Sequence, residues 1–468
     1  MGSQNRIGFL LSILAVVTGI YCAIANNNSM YDFLFLIPLV YAINMFWLAS
    51  EFRKRKNYGV TFVFYVSQVL IFIRYVLTPF SVVFSAGFAR WGWGPDPSDT
   101  DMLFAELLMC IEICFVFATQ YVAIAKFSRK RHVNRIQHLR AFEESTSERI
   151  GVLCVYAVIA CVLVLMTQPE RLVMDQYFSY SSGKATSKFA LDGAIEILAE
   201  TFKKVFIIVA LIICKRGYDK KNNKFIIVLA AVAILVNMMM NSGSTRIHMV
   251  FALLISLYFL NKIFGRIPMA VYIICGGICF FAIINVSLVK FSYAIGNTDN
   301  PVKAVLAIFM VQFQDYFAGP KLVGQMLNVS RVYGDSIDLG TFINDLTGSI
   351  PMVSHYVDQT NRINYYFNIY CGIKKLSLIA PMLGIGYCYF PVFPFFLTML
   401  FEYFVIRMDY KMTSSNRITY KYLYGYMGFT CAMCMGYNTQ IIFSVFLTSF
   451  FPLLILFNVN NKIRFRWK

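Results

Sequence analysis

Residues 59–84 read GVTFVFYVSQVLIFIRYVLTPFSVVF. A single charge, Arg74, interrupts a run rich in Val, Ile, Leu and Phe. As a helix rising about 1.5 Å per residue, the run exceeds the roughly 30 Å hydrocarbon core of a bilayer. It lacks the strand-length alternation of about ten residues that marks a membrane β-barrel. The stretch therefore reads as a transmembrane helix. Comparable runs flank it at 7–25, 31–50, 102–125, 150–168, 191–214, 225–241, 246–264, 267–289, 379–406, 419–437 and 439–458, giving about twelve spans. The expected fold class is all-α, a polytopic helical membrane protein.

Composition and charge agree. Of 468 residues, 58% are hydrophobic and 14% charged, more apolar surface than a soluble core can hide. Every second loop is basic: Arg53–Lys56, 126–149, Lys215–Lys224, Lys262 with Arg266, Arg407–Lys421 and Lys462–Lys468. The alternate loops are neutral at Asn26–Met30 and Gly436–Gln440, acidic at Trp91–Asp101, and mixed at Pro169–Ala190. Short basic loops stay in the cytoplasm, so both termini are expected there, in an inner membrane. The net charge of +18 sits in these loops, where it orients helices and meets anionic lipid, which argues against nucleic acid as a partner. No small-residue cleavage site closes the first span before Asn26–Asn28, so an uncleaved anchor is expected. The Cys431-Ala-Met-Cys434 pair lies in an apolar span with no histidine beside it, which reads as packing, not metal ligation. The four histidines form no cluster, and no phosphate-binding glycine loop is present.

Two features break the pattern. Residues 1–289 hold nine spans and 379–468 hold three with a basic tail, but 290–378 form a large extracytoplasmic loop between the ninth and tenth. Its ten Phe and Tyr residues from Phe309 to Phe367 argue against disorder, and short helices on the membrane surface are expected, Val302–Gln314 among them. The second feature is charge at membrane depth. Arg74 precedes Pro79 in the third span, and Arg246 follows Asn241-Ser-Gly-Ser-Thr245 at the start of the eighth. In the sixth, Asp192, Glu196 and Glu200 recur every four residues, followed by Lys203 and Lys204. Such groups must face protein or water. A Glu200–Lys204 pair within one helix is the plain structural reading. Arg74 and Arg246 have no evident local partner, and a guanidinium fork suits phosphate.

Taken with Gln314-Asp-Tyr-Phe-Ala-Gly-Pro320, Phe342-Ile-Asn-Asp345 before Pro351, Phe367-Asn368 and Ile379-Ala-Pro-Met-Leu-Gly-Ile-Gly386, these features resemble the bacterial Wzy-type O-antigen and capsule polymerases, related to O-antigen ligases. The resemblance covers nearly the whole chain. It implies a GT-C-like fold and a metal-independent, cofactor-free transferase that polymerises undecaprenyl-diphosphate-linked oligosaccharide repeat units outside the bacterial cytoplasmic membrane. Membrane lipids, a chain-length regulator and a flippase are the partners it implies. On this resemblance Arg74 and Arg246 stabilise the leaving diphosphate, with Lys203, Lys204 and Arg362 as further cations. Asp315 is the first choice of base, ahead of Asp345, Asp358 and Glu200. Tyr316 and Asn368 belong to the glycan groove, and His355 keeps a ligase acting on lipid A core open. A lipid-linked oligosaccharide flippase or other transporter is the remaining alternative, although its usual two similar halves are not evident.

Overall fold

The computed structural model describes residues 3–54, 60–90, 92–131, 148–172, 190–241, 246–265, 267–296, 298, 300–354, 356–373 and 378–463. Among the described residues regular structure is helical, apart from a single antiparallel bridge between Ala89 and Ile295. The helices are α1 (Ser3–Ala25), α2 (Leu36–Lys54), α3 (Phe62–Phe84), α4 (Asp99–Arg131), α5 (Gly151–Thr167), α6 (Ala190–Lys221), α7 (Phe225–Met240), α8 (Arg246–Phe264) and α9 (Met269–Lys290). The long segment then supplies α10 (Pro301–Tyr316), α11 (Pro320–Tyr333), α12 (Leu339–Thr347) and α13 (Ile363–Tyr370). The chain ends with α14 (Met382–Tyr389), α15 (Phe396–Ser414), α16 (Ile418–Ala432) and α17 (Thr439–Lys462). Among the described residues, five helical stretches are long and apolar enough to cross a membrane: Arg6–Ala25, Ser29–Phe52, Phe62–Phe84, Asp99–Phe127 and Thr439–Lys462. They coincide with the first four and the last of the spans read from sequence, and the chain is a helical membrane protein.

The tenth span is not one helix. Residues 379–406 divide into α14 and α15, separated by a turn containing Pro391 and Pro394. Neither proline has an amide to donate, so a continuous helix would lose two rungs within four residues. Gly386 makes the return possible, because a Cβ there would strike the Pro394 carbonyl.

Within α3 the ladder widens to a π turn at Ile73–Leu77, just ahead of Pro79. The Thr78 hydroxyl lies within bonding distance of two carbonyls, Ile73 O at 3.0 Å and Phe313 O at 3.2 Å, which ties α3 to α10. A second π turn, Phe446–Phe450, interrupts α17.

Within the long segment, α11 lies inside the protein. Pro320 through Leu327 of α11 are all buried, packed against α4, α13 and α14. The polar groups of α11 pass inside because each finds a partner. Lys321 Nζ lies 2.5 Å from Asp96, and Gln325 Nε2 donates to the Trp93 carbonyl (2.6 Å) and the Pro95 carbonyl (3.0 Å). At its other end Arg331 pairs with Asp101 at 2.6 Å.

Candidate functional site

At the end of the bundle that carries α10 to α13, α12 begins with Asp338, whose carboxylate caps the Thr341 amide at 2.8 Å. One turn on, Thr341 and Asp345 share the buried face while Leu339 and Ile343 point outward. Asp345 Oδ2 accepts the Tyr389 hydroxyl at 2.5 Å, and Oδ1 accepts Gln440 Nε2 and lies 3.5 Å from Arg362 Nε. Burial pushes the Asp345 carboxyl up to about 6, against the opposing pull of Tyr389 and Arg362. A carboxyl that changes charge just below neutrality suits a general base.

Three residues before Gln440, Tyr437 meets the His248 ring edge-on, with centroids 5.8 Å apart. On α6 the Glu200 carboxylate receives Lys203 at 2.7 Å and Lys204 at 2.6 Å, and Lys204 Nζ also lies 4.8 Å from the centre of the Tyr426 ring. Both lysines are nearly enclosed, while Glu200 keeps about a quarter of its side chain exposed. Two ammonium groups facing one carboxylate leave a surplus positive charge. The 339–354 segment also reaches this helix, since a Cβ on Gly193 of α6 would meet Pro351.

Across the same end a cleft of 490 Å³ is lined by Asn26, Asn27, Asn28, Tyr31, Asp96 and Lys321. Gly92 and Gly94 shape its wall at φ +69° and +76°, a region glycine enters freely. Between them Trp93 packs on Tyr293 at 5.0 Å, and the Tyr293 hydroxyl donates to Asp315 Oδ2 at 2.8 Å. Burial and the Asp315 carboxylate both push the Tyr293 phenol up, so it stays a donor. The cleft itself offers side-chain amides and the Asp96–Lys321 ion pair, groups that can hydrogen-bond sugar hydroxyls.

The sequence-level candidates distribute unevenly over this geometry. Lys203, Lys204, Glu200 and Arg362 lie in the two polar groups. Asp315 and Tyr316 lie at the end of α10, where the Tyr316 carbonyl closes on Gly436. Asp358 is exposed, and hydrogen bonds from the Thr360 hydroxyl and amide hold its carboxyl below the usual range. Asn368 is wholly buried: its amide group bonds the Asn364 carbonyl and both the carbonyl and N–H of Leu378, clipping the chain between them. That fixes it as an internal brace instead of a groove residue. Arg246 begins α8, but its side chain and all of His355 lie outside the described residues.

Arg74 departs most from expectation. It is fully buried and ion-paired with Glu112 on α4 at 2.8 Å. The same carboxylate accepts Tyr75 OH at 2.7 Å and Thr398 Oγ1 at 2.7 Å. A guanidinium so enclosed and neutralised is a cross-link of α3, α4 and α15, and the reading of it as a partnerless phosphate clamp is corrected. Beside it, buried Glu402 accepts Gln120 Nε2 at 2.9 Å and the Ser67 hydroxyl at 3.2 Å. Sequence reasoning passed over Glu112 and Glu402 because apolar neighbours dominate each span. Polar residues recurring on α4 at Glu106, Glu112 and Gln120 were the available signal.

No family model, curated protein or solved structure matches this chain.

Proposed function

We propose that this membrane protein is a glycosyltransferase of the repeat-unit polymerase kind, joining undecaprenyl-diphosphate-linked oligosaccharides on the outer side of a bacterial cytoplasmic membrane. The observation that carries the reading is Asp345, a buried carboxyl poised near pH 6 and held by Arg362, Tyr389 and Gln440. It shares one end of the helical bundle with the positive α6 group and the amide-rich cleft. In this reading α5, α6, α7, α8, α9, α15 and α16 join the five longer helices as crossings, in a GT-C-like arrangement with both termini in the cytoplasm.

The chemistry assigns each group a task. Asp345 takes the proton of an acceptor hydroxyl as that oxygen bonds the anomeric carbon of the donor. The carbon–oxygen bond to diphosphate breaks, and the lipid diphosphate leaves with the electron pair. As the sugar carbon becomes oxocarbenium-like, negative charge gathers on the diphosphate, where Lys203, Lys204 and Arg362 stabilise it. The cleft holds the acceptor glycan.

Purified protein given lipid-linked repeat units, chelator and no nucleotide is expected to lengthen them into a ladder and release lipid diphosphate. Asp345→Asn should slow the ladder by roughly 100-fold to 10,000-fold. Transfer to lipid A core alone would make the protein a ligase. A second reading, ion-coupled transport of the intact lipid-linked unit, draws on Glu112 and Glu402, carboxylates wholly buried inside the bundle. Movement of units across a bilayer without new linkages would establish it over the first.

A further inference from the structure

At the opposite, basic end of the bundle, a groove of 690 Å³ opens between the start of α5 and the end of α17. Its mouth carries Arg149 and Arg216, and its wall is apolar, with Val155, Val158 and Ile159 each about half or more exposed. The wall runs along α5 for two turns, about 10 Å. The first turn of α5 lines the mouth at Gly151 and Val152, and its preceding residue, Ile150, offers no side-chain cap.

The neighbouring acid is engaged elsewhere. Glu148 accepts the Ile418 amide at 2.9 Å and both the amide and hydroxyl of Thr419. Arg216 donates to the Glu148 backbone carbonyl, and Asn460 Nδ2 donates to the Arg149 carbonyl at 2.7 Å, so the mouth is built from three elements. Two guanidiniums above a hydrocarbon-lined wall match a molecule with a phosphate at one end and an alkyl chain at the other.

We propose that this groove binds an anionic glycerophospholipid, its phosphate between Arg149 and Arg216 and one acyl chain along Val155, Val158 and Ile159. The site is independent of the proposed transferase chemistry, since it lies at the other end of the bundle. A zwitterionic lipid would bring its ammonium group towards the arginines, and free phosphate would leave the wall bare.

The full chain, purified in detergent, is tested by native mass spectrometry with equimolar phosphatidylglycerol and phosphatidylcholine. Phosphatidylglycerol adducts should dominate, and Arg149→Gln should lower that preference about fivefold. Val158→Trp, which fills the wall without touching a charge, should reduce bound lipid while the protein still elutes as one species, so the test survives a folding defect in the arginine variant. Equal retention of the two lipids, or a preference unchanged in Arg149→Gln, overturns the proposal. Displacement by inorganic phosphate, or preferential displacement by undecaprenyl phosphate, overturns the assignment to a glycerophospholipid.

Discussion

Asp345 and Arg74 show how burial gives two charged residues opposite uses. Asp345 has its carboxyl raised from 3.8 to about 6, chiefly by burial. As the proposed base it would work ionised, so activity should fall about tenfold per unit as pH drops below about 6, and Asp345→Asn should abolish that acid limb along with most of the rate. Stability moves the other way. A folded value above the unfolded one stabilises fully below about 3.8, and that contribution, about 3 kcal/mol, is lost as pH rises through about 6. The difference in melting temperature between the native protein and Asp345→Asn, followed from pH 4 to 7, checks the sign. For Arg74, removing either partner strands a buried charge: Arg74→Ala or Glu112→Ala should cost about 3–5 kcal/mol and folded yield. The paired change Arg74→Met with Glu112→Leu should restore yield, and activity with it. Restored protein that stays inactive would return Arg74 to the reaction.

Whole elements were legible where one signal dominated. The run at 59–84 announced α3 through hydropathy alone, and α6 announced its acids by their four-residue spacing. Elements mixing signals were harder to read. Pro391 and Pro394 were visible within 379–406, yet the apolar average on both sides hid the break between α14 and α15. α11 carries Lys321, Gln325 and Arg331, which gives it a surface helix's sequence. Only the partners at Asp96 and Trp93, more than 200 residues earlier in the chain, allow Lys321 and Gln325 inside, while Arg331 stays exposed at its end. Local periodicity cannot announce such distant partners, and Glu112 was missed beside Arg74 for the same reason. On α6 the ion group makes an element-scale test. Glu200→Gln leaves two nearly enclosed ammonium groups unneutralised and should lower folded yield. Lys204→Met keeps a neutral Glu200–Lys203 pair, so folding should persist while polymer synthesis falls by about thirtyfold or more, as expected when a transition-state charge contact is lost. Normal synthesis by well-folded Lys204→Met would remove α6 from the chemistry.

At the scale of the whole molecule the two ends differ in kind, and that difference bears on which side of the membrane the proposed reaction would face. Arg149, Arg216, Lys220, Lys221, Lys262, Lys411 and Lys421 occur at one end, in or beside short connections, where basic residues resist translocation. The other end mixes signs, with Asp96 paired to Lys321, Asp101 to Arg331 and Asp345 to Arg362, so its net bias is weak. Orientation should therefore follow the basic end, placing Asp345, the α6 group and the cleft outside. That is also where a lipid-linked unit is available once it has crossed the bilayer. Reporter fusions after Lys221 and Lys411 should report cytoplasm, and a fusion after the exposed Asp335 should report the outer side. A cysteine at Ser336 in the intact chain should react with a membrane-impermeant maleimide in whole cells, beyond the labelling of the native chain's own thiols. Protection of that cysteine until the membrane is opened, together with a cytoplasmic signal after Asp335, would put the candidate site on the cytoplasmic side. Nucleotide-linked donors would then be within its reach, and a transferase supplied only by lipid diphosphates would no longer fit.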